Sequence, residues 1–90
     1  MPNRILFSVN GNATDFYNSL NTQERNSLDE ALEYIRDFPF EHGDTVIRRI
    51  RPPVVIYLFR DDYWRISYSL STHPTEPISV DISIFAIAYA

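Results

Sequence analysis

Two stretches in the C-terminal third alternate apolar and polar residues with a period of two. Trp64, Ile66, Tyr68 and Leu70 fall on one face of the first, and Ile78, Val80, Ile82 and Ile84 on one face of the second. Successive strand residues point to opposite sides of a sheet, so this alternation predicts two half-buried strands with one covered face. Arg65, Ser67, Asp81 and Ser83 take the opposite phase and line the uncovered face.

The N-terminal half carries a different period. Arg4 to Val9 predicts a first strand with Ile5, Phe7 and Val9 on one side, followed by a turn at Asn10-Gly11-Asn12. Asn12 is an N-cap residue type, and Asp15 stands near the positive end of the helix dipole that follows. A short helix then presents Phe16, Tyr17 and Leu20. Asn21-Thr22 breaks it and starts a second helix, with Asn21 and Glu24 spaced as a capping box. Leu28, Ala31, Leu32, Ile35 and Phe38 form an apolar stripe at helical spacing, opposite Glu30, Glu33 and Asp37. Pro39 ends the pattern. So short a break predicts an antiparallel helical hairpin.

After a loop at Phe40 to Asp44, Thr45 to Ile50 predicts a weakly patterned strand. Pro52-Pro53 marks a turn or bulge. Val54 to Phe59 is nearly continuously apolar, as in a central strand covered on both faces. Asp61-Asp62 makes a tight turn into the Trp64 strand, Ser71 to Pro77 forms a loop, and the final strand reaches Ala88. The expected fold is α+β over a single domain, residues 1–90: an N-terminal strand and a helical hairpin on one face of a mainly antiparallel sheet of four or five strands.

Composition narrows the chemistry. Ninety residues hold one core. The absence of cysteine removes disulfides and thiolate chemistry. His42 and His73 are the only imidazoles, and neither has a carboxylate at metal-ligand spacing, so no metal or other cofactor is expected. No apolar run reaches membrane-spanning length and no signal pattern opens the chain; the expectation is a soluble cytoplasmic protein without a membrane partner. The net charge is −4, and all eight positive charges are arginine. Negative charge disfavours non-specific nucleic-acid binding, which rests on neutralising phosphates, yet leaves room for a local arginine patch.

Three constellations bear chemistry. On the polar sheet face, Arg65 on a rigid strand suits a phosphate or a developing phosphorane charge, with Asp81 as proton acceptor or orienting group and Ser67 and Ser83 beside them. The competing reading is a cross-strand Arg65–Asp81 ion pair on a solvated face, worth a fraction of a kcal/mol. Arg48, Arg49 and Arg51 bind phosphates or an acidic partner in one reading; in the other they protect an edge strand, since adjacent strand residues point to opposite faces. The acidic face of the second helix is a docking surface for a basic partner or a solvated outer face.

The order strand–helix–helix–strands and the block Arg60-Asp61-Asp62-Tyr63-Trp64-Arg65-Ile66-Ser67-Tyr68 resemble the RelE/ParE toxin superfamily of toxin–antitoxin systems, the group tied to plasmid stabilization. That family carries a strand of the form x-Tyr-Arg-hydrophobic-x-Tyr after a tight turn. Here Trp64 replaces the usual tyrosine. The resemblance implies a small domain whose sheet cradles its target, wrapped by a cognate antitoxin. RelE-type members cut messenger RNA on the ribosome and ParE-type members poison gyrase. It places Arg65 at the arginine that the nucleases hold near the scissile phosphate, for metal-independent cleavage driven by the 2′-hydroxyl of the RNA. RNA-cleaving members continue past the last strand with basic residues, whereas no charge follows Asp81 here and lysine is absent. These departures predict weak or absent mRNA cleavage. They leave two functions open: a growth-inhibiting toxin and a non-catalytic, toxin-like protein-binding module.

Overall fold

The period-two stretches form the middle of a sheet. The computed structural model describes residues 3–40, 44–48, 54–73 and 79–90, with backbone alone at 44–48, 54, 55 and 73. Strands β1 (Arg4–Phe7), β2 (Asp44–Arg48), β3 (Val54–Arg60), β4 (Trp64–His73) and β5 (Ser79–Tyr89) lie in the order β1-β5-β4-β3-β2. All neighbours are antiparallel except β1 and β5, which run parallel from Arg4 opposite Asp81 to Phe7 opposite Ile84. Parallel neighbours need a long crossover, and helices α1 (Ala13–Ser19) and α2 (Thr22–Asp37) lie in the chain that follows β1. The fold is α+β with a mixed sheet.

Register decides which residues share a face, because directly opposed residues point to the same side. Trp64 opposes Tyr89, Ile66 opposes Ile87, Tyr68 opposes Ile84 and Leu70 opposes Ile82. Between Ser67 and Tyr68 the register shifts and Phe85 has no opposite residue. This bulge changes the phase of β5. Ile84 and Ile87, three positions apart, are both fully buried, whereas strict alternation would have turned Ala86 inward.

The covered face holds one core. Leu28, Ala31, Leu32 and Ile35 from α2, and Ala13 from α1, cluster with Phe59, Trp64, Ile66, Tyr68, Ile82, Ile84 and Ile87. The expected facing of Trp64, Ile66, Ile82 and Ile84 therefore holds. The capping box is present: Asn21 Oδ1 accepts from Glu24 N at 2.8 Å, and Glu24 Oε1 accepts from Asn21 N at 3.3 Å.

Several boundaries and contacts differ from the sequence reading. The first strand stops at Phe7, and Val9 is 95% exposed in the turn. Phe38 lies beyond the end of α2 and is exposed, its ring against Tyr34 at 5.7 Å. Ser71 to His73 continue β4 instead of opening a loop, because Asp81, Val80 and Ser79 supply ladder partners. Ile56 and Leu58 are only half-buried, so β3 is not covered on both faces. Pro52, Pro53 and the region around His42 and Gly43 lie outside the described residues.

Asn12 makes no side-chain cap to α1. Its amide instead accepts from Ile87 N at 3.0 Å and donates to Ile87 O at 3.4 Å. It acts as an extra rung on β5 where β1 has ended. Asn3 does a related task at the other end, accepting from Val80 N and donating to Arg36 O, which ties β5 to the last turn of α2. Gly11 passes so close to β5 that an added Cβ would overlap the Phe85 carbonyl oxygen. The turn after β1 thus closes directly over the bulge.

Candidate functional site

Four of the sequence candidates fall on the open face of the sheet. Arg65 is exposed, opposite Ala88 on β5 and Arg60 on β3. Ser67 is half-buried, between Ala86 and Leu58. Ser83 opposes Ser69 and pairs with Leu6 of β1. Asp81 opposes Ser71 and pairs with Arg4.

Arg65 and Asp81 share a face and lie on paired strands, yet they are not neighbours. From Arg65 to Ser71, the residue opposite Asp81, the chain runs six residues of extended strand, roughly 20 Å at ~3.3 Å per residue. The expected placement of Arg65 beside Asp81 is therefore corrected, and the cross-strand ion pair between them with it. Arg4 takes that place: its Nε and Nη2 donate to the two Asp81 oxygens at 2.9 and 3.0 Å. This two-point contact raises the Arg4 guanidinium further above its ordinary value, the hydrogen bond contributing most and the charge of Asp81 next. The parallel β1–β5 register sets the pairing, and nothing in local sequence reveals it, because the partners lie 77 positions apart.

The residue facing Arg65 across β3 is a second arginine. Arg60 and Arg65 close the β3–β4 hairpin, whose turn is built by Asp61. Asp61 Oδ1 accepts from Tyr63 N at 2.8 Å and Trp64 N at 2.6 Å, and Asp61 N donates to Trp64 O. Like charges directly opposite are unfavourable in a ladder. The turn nevertheless fixes both arginines, exposed, on one side of the sheet. Their planar, permanently charged heads suit a phosphate or carboxylate group. Arg48 closes β2 opposite Val54, with its side chain outside the described residues; Arg49 and Arg51 lie outside them altogether, as does the His73 side chain.

A second constellation sits at the end of the covered face, where β4 begins and β5 ends. A cleft of ≈ 420 Å³ is lined by Gln23, Glu24, Ser27, Tyr63, Trp64 and Tyr89. Trp64 and Tyr89 stack at 5.4 Å between ring centroids, and Phe16 meets both edge-on. The Trp64 indole donates to Ser27 Oγ at 3.1 Å, and the Tyr89 hydroxyl donates to Glu24 Oε2 at 3.0 Å. That hydrogen bond is the main reason the Tyr89 hydroxyl holds its proton above the usual range. Sequence reasoning assigned Trp64 to the core and missed the cleft. The available signal was the capping-box Glu24, whose second oxygen is free to reach outside the box.

The chain matches no model of a known protein family, and no curated protein or solved structure matches it either.

Proposed function

We propose that the chain is a toxin-type domain of the RelE/ParE kind, and that its open sheet face grips an anionic group of its target through Arg60 and Arg65. The observation that carries this reading is the cross-strand arginine pair on a rigid hairpin. Two exposed guanidinium groups at directly opposed strand positions put positive charge on one side of the sheet, in the geometry that planar, charged donors use to take an anionic group. The strand–helix–helix–strands order and the Trp64–Tyr68 block on β4 support the family part of the reading, including the paired helices as its hairpin. A cognate antitoxin that covers this face would silence it.

The domain acts by holding its target more than by cutting it. Cleavage of RNA at Arg65 needs an acid and a base around one phosphate. Asp81, the carboxylate with the right phase, is roughly 20 Å away along the ladder and engaged by Arg4.

Induced expression in a bacterial host tests the proposal. Growth should slow modestly, with messenger RNA intact, and Arg65→Ala or Arg60→Ala should restore it. If the target is single-stranded RNA, each substitution should also lower the salt dependence of binding by about 0.7 log units per log unit of salt. Arg65-dependent mRNA cleavage would replace the holding mechanism with the nuclease one. Wild-type behaviour indistinguishable from Arg65→Ala in growth and in binding would overturn the assignment.

A further inference from the structure

The cleft at the end of the covered face has the chemistry of a cation receptor, and it is separate from the arginine face. Trp64 and Arg65 are consecutive on β4, so their side chains leave opposite sides of the sheet. In the cleft, aromatic rings and one carboxylate converge. Tyr63 is 67% exposed and Tyr89 55% exposed, so both offer ring surface to solvent. Glu24 stands beside them with both oxygens positioned, one by Asn21 N and one by the Tyr89 hydroxyl. A carboxylate oxygen has two lone-pair directions, so each keeps capacity for a further donor.

Three of the lining side chains are held in place. Trp64 is fixed by Ser27, Tyr89 by Glu24 and its stack on Trp64, and Glu24 by the capping box. A site whose groups are already ordered loses little entropy on binding. Exposed Asp61 and Asp62 precede Tyr63 in the same turn and add negative charge next to it in the chain. Of the two arginines next to lining residues in sequence, Arg65 leaves the opposite side of the sheet from Trp64, and Arg25 lies over the Tyr17 ring at 5.2 Å to its centroid and donates to Leu20 O. Among the described residues, none that lines the cleft is positively charged.

We propose that this cleft takes an arginine side chain presented by a protein partner. The guanidinium would stack on an aromatic face while its N–H groups reach the Glu24 carboxylate, a combination of cation–π contact and charged hydrogen bond that arginine makes better than lysine. A nucleobase would also stack on such rings, but its phosphate would bring negative charge to a cleft whose charged lining residue is the Glu24 carboxylate. The net charge of −4 supports a basic partner surface in the same direction.

The chain's single tryptophan makes the site self-reporting. N-acetyl-arginine amide should shift the Trp64 indole resonance and quench its fluorescence saturably, while N-acetyl-citrulline amide, its neutral counterpart, should bind at least about fivefold more weakly. Glu24→Gln keeps a capping-box residue and an acceptor for Tyr89, and should weaken arginine binding by about fivefold with the fold intact. Tyr63→Ala, at an exposed turn position, should weaken it without touching the core. Equal binding of the citrulline derivative, unchanged binding to both variants, tighter saturation by adenosine monophosphate, or no saturable shift at all would each overturn the proposal.

Discussion

Replacing Ile66 by alanine tests the facing of the whole sheet. Ile66 is fully buried, opposite Ile87 on β5 and Phe59 on β3, both buried in the same core. The substitution removes three carbon groups, worth about 0.8 kcal/mol each in transfer free energy, or about 2.4 kcal/mol together. If the site collapses only halfway, a cavity of roughly 40 Å³ remains and adds about 1 kcal/mol at ~24 cal/mol per Å³. The expected loss is therefore about 3–4 kcal/mol, or about 15–25 °C in Tm for a domain of this size. The control is one residue away: Arg65→Ala, on the exposed face, should change stability by less than about 0.5 kcal/mol. Urea denaturation followed by circular dichroism and by the fluorescence of Trp64 measures both. A cost below about 1 kcal/mol for Ile66→Ala, or a comparable cost for Arg65→Ala, would refute the assigned register.

Asn12→Ala should cost about 1–2 kcal/mol and speed hydrogen exchange at the Ile87 amide, since it deletes both side-chain bonds to that residue; unchanged Ile87 exchange would show that the amide rung is not formed. Gly11→Ala should destabilise by more than about 1 kcal/mol, because the new Cβ has to displace the Phe85 carbonyl or the turn itself, and a neutral effect in thermal unfolding would contradict that approach. Tyr68 supplies a pH dependence. Burial, helped by the neighbouring Tyr57, pushes its hydroxyl up to about 12. The unfolded chain releases that proton near pH 10, so the contribution is intact below pH 10 and is lost as pH rises to about 12, amounting to about 2–3 kcal/mol. Urea midpoints for Tyr68→Phe should fall less steeply than wild type between pH 10 and 12, and parallel curves would disprove the assignment.

Local patterns in the sequence were enough for the elements and for most of the inward faces. The period of two at Trp64–Leu70 and Val80–Ile84 had to be strands with one dry side. The stripe Leu28, Ala31, Leu32, Ile35 had to be a helix facing it. The capping box at Asn21 and Glu24 and the turn at Asp61 are short-range hydrogen-bond chemistry, and they sit where their residue types demand. The open face was legible for the same reason: Arg65, Ser67, Asp81 and Ser83 share a polar phase, and that phase is read from each strand alone. What each of those residues meets was not. Strand order and register are set by pairing over long separations, so only the tertiary structure put Arg4 on Asp81, Arg60 opposite Arg65, and Asn12 on Ile87. The bulge at Phe85 shifts the inward phase from Ile84 to Ile87, a change that alternation along one strand cannot encode because it depends on how many residues the neighbouring strand offers. The aromatic cleft belongs to the same category: Glu24, Trp64 and Tyr89 come from three separate elements, and only the packing of α2 against the ends of β4 and β5 brings a helix cap, a core ring and a strand end into one site.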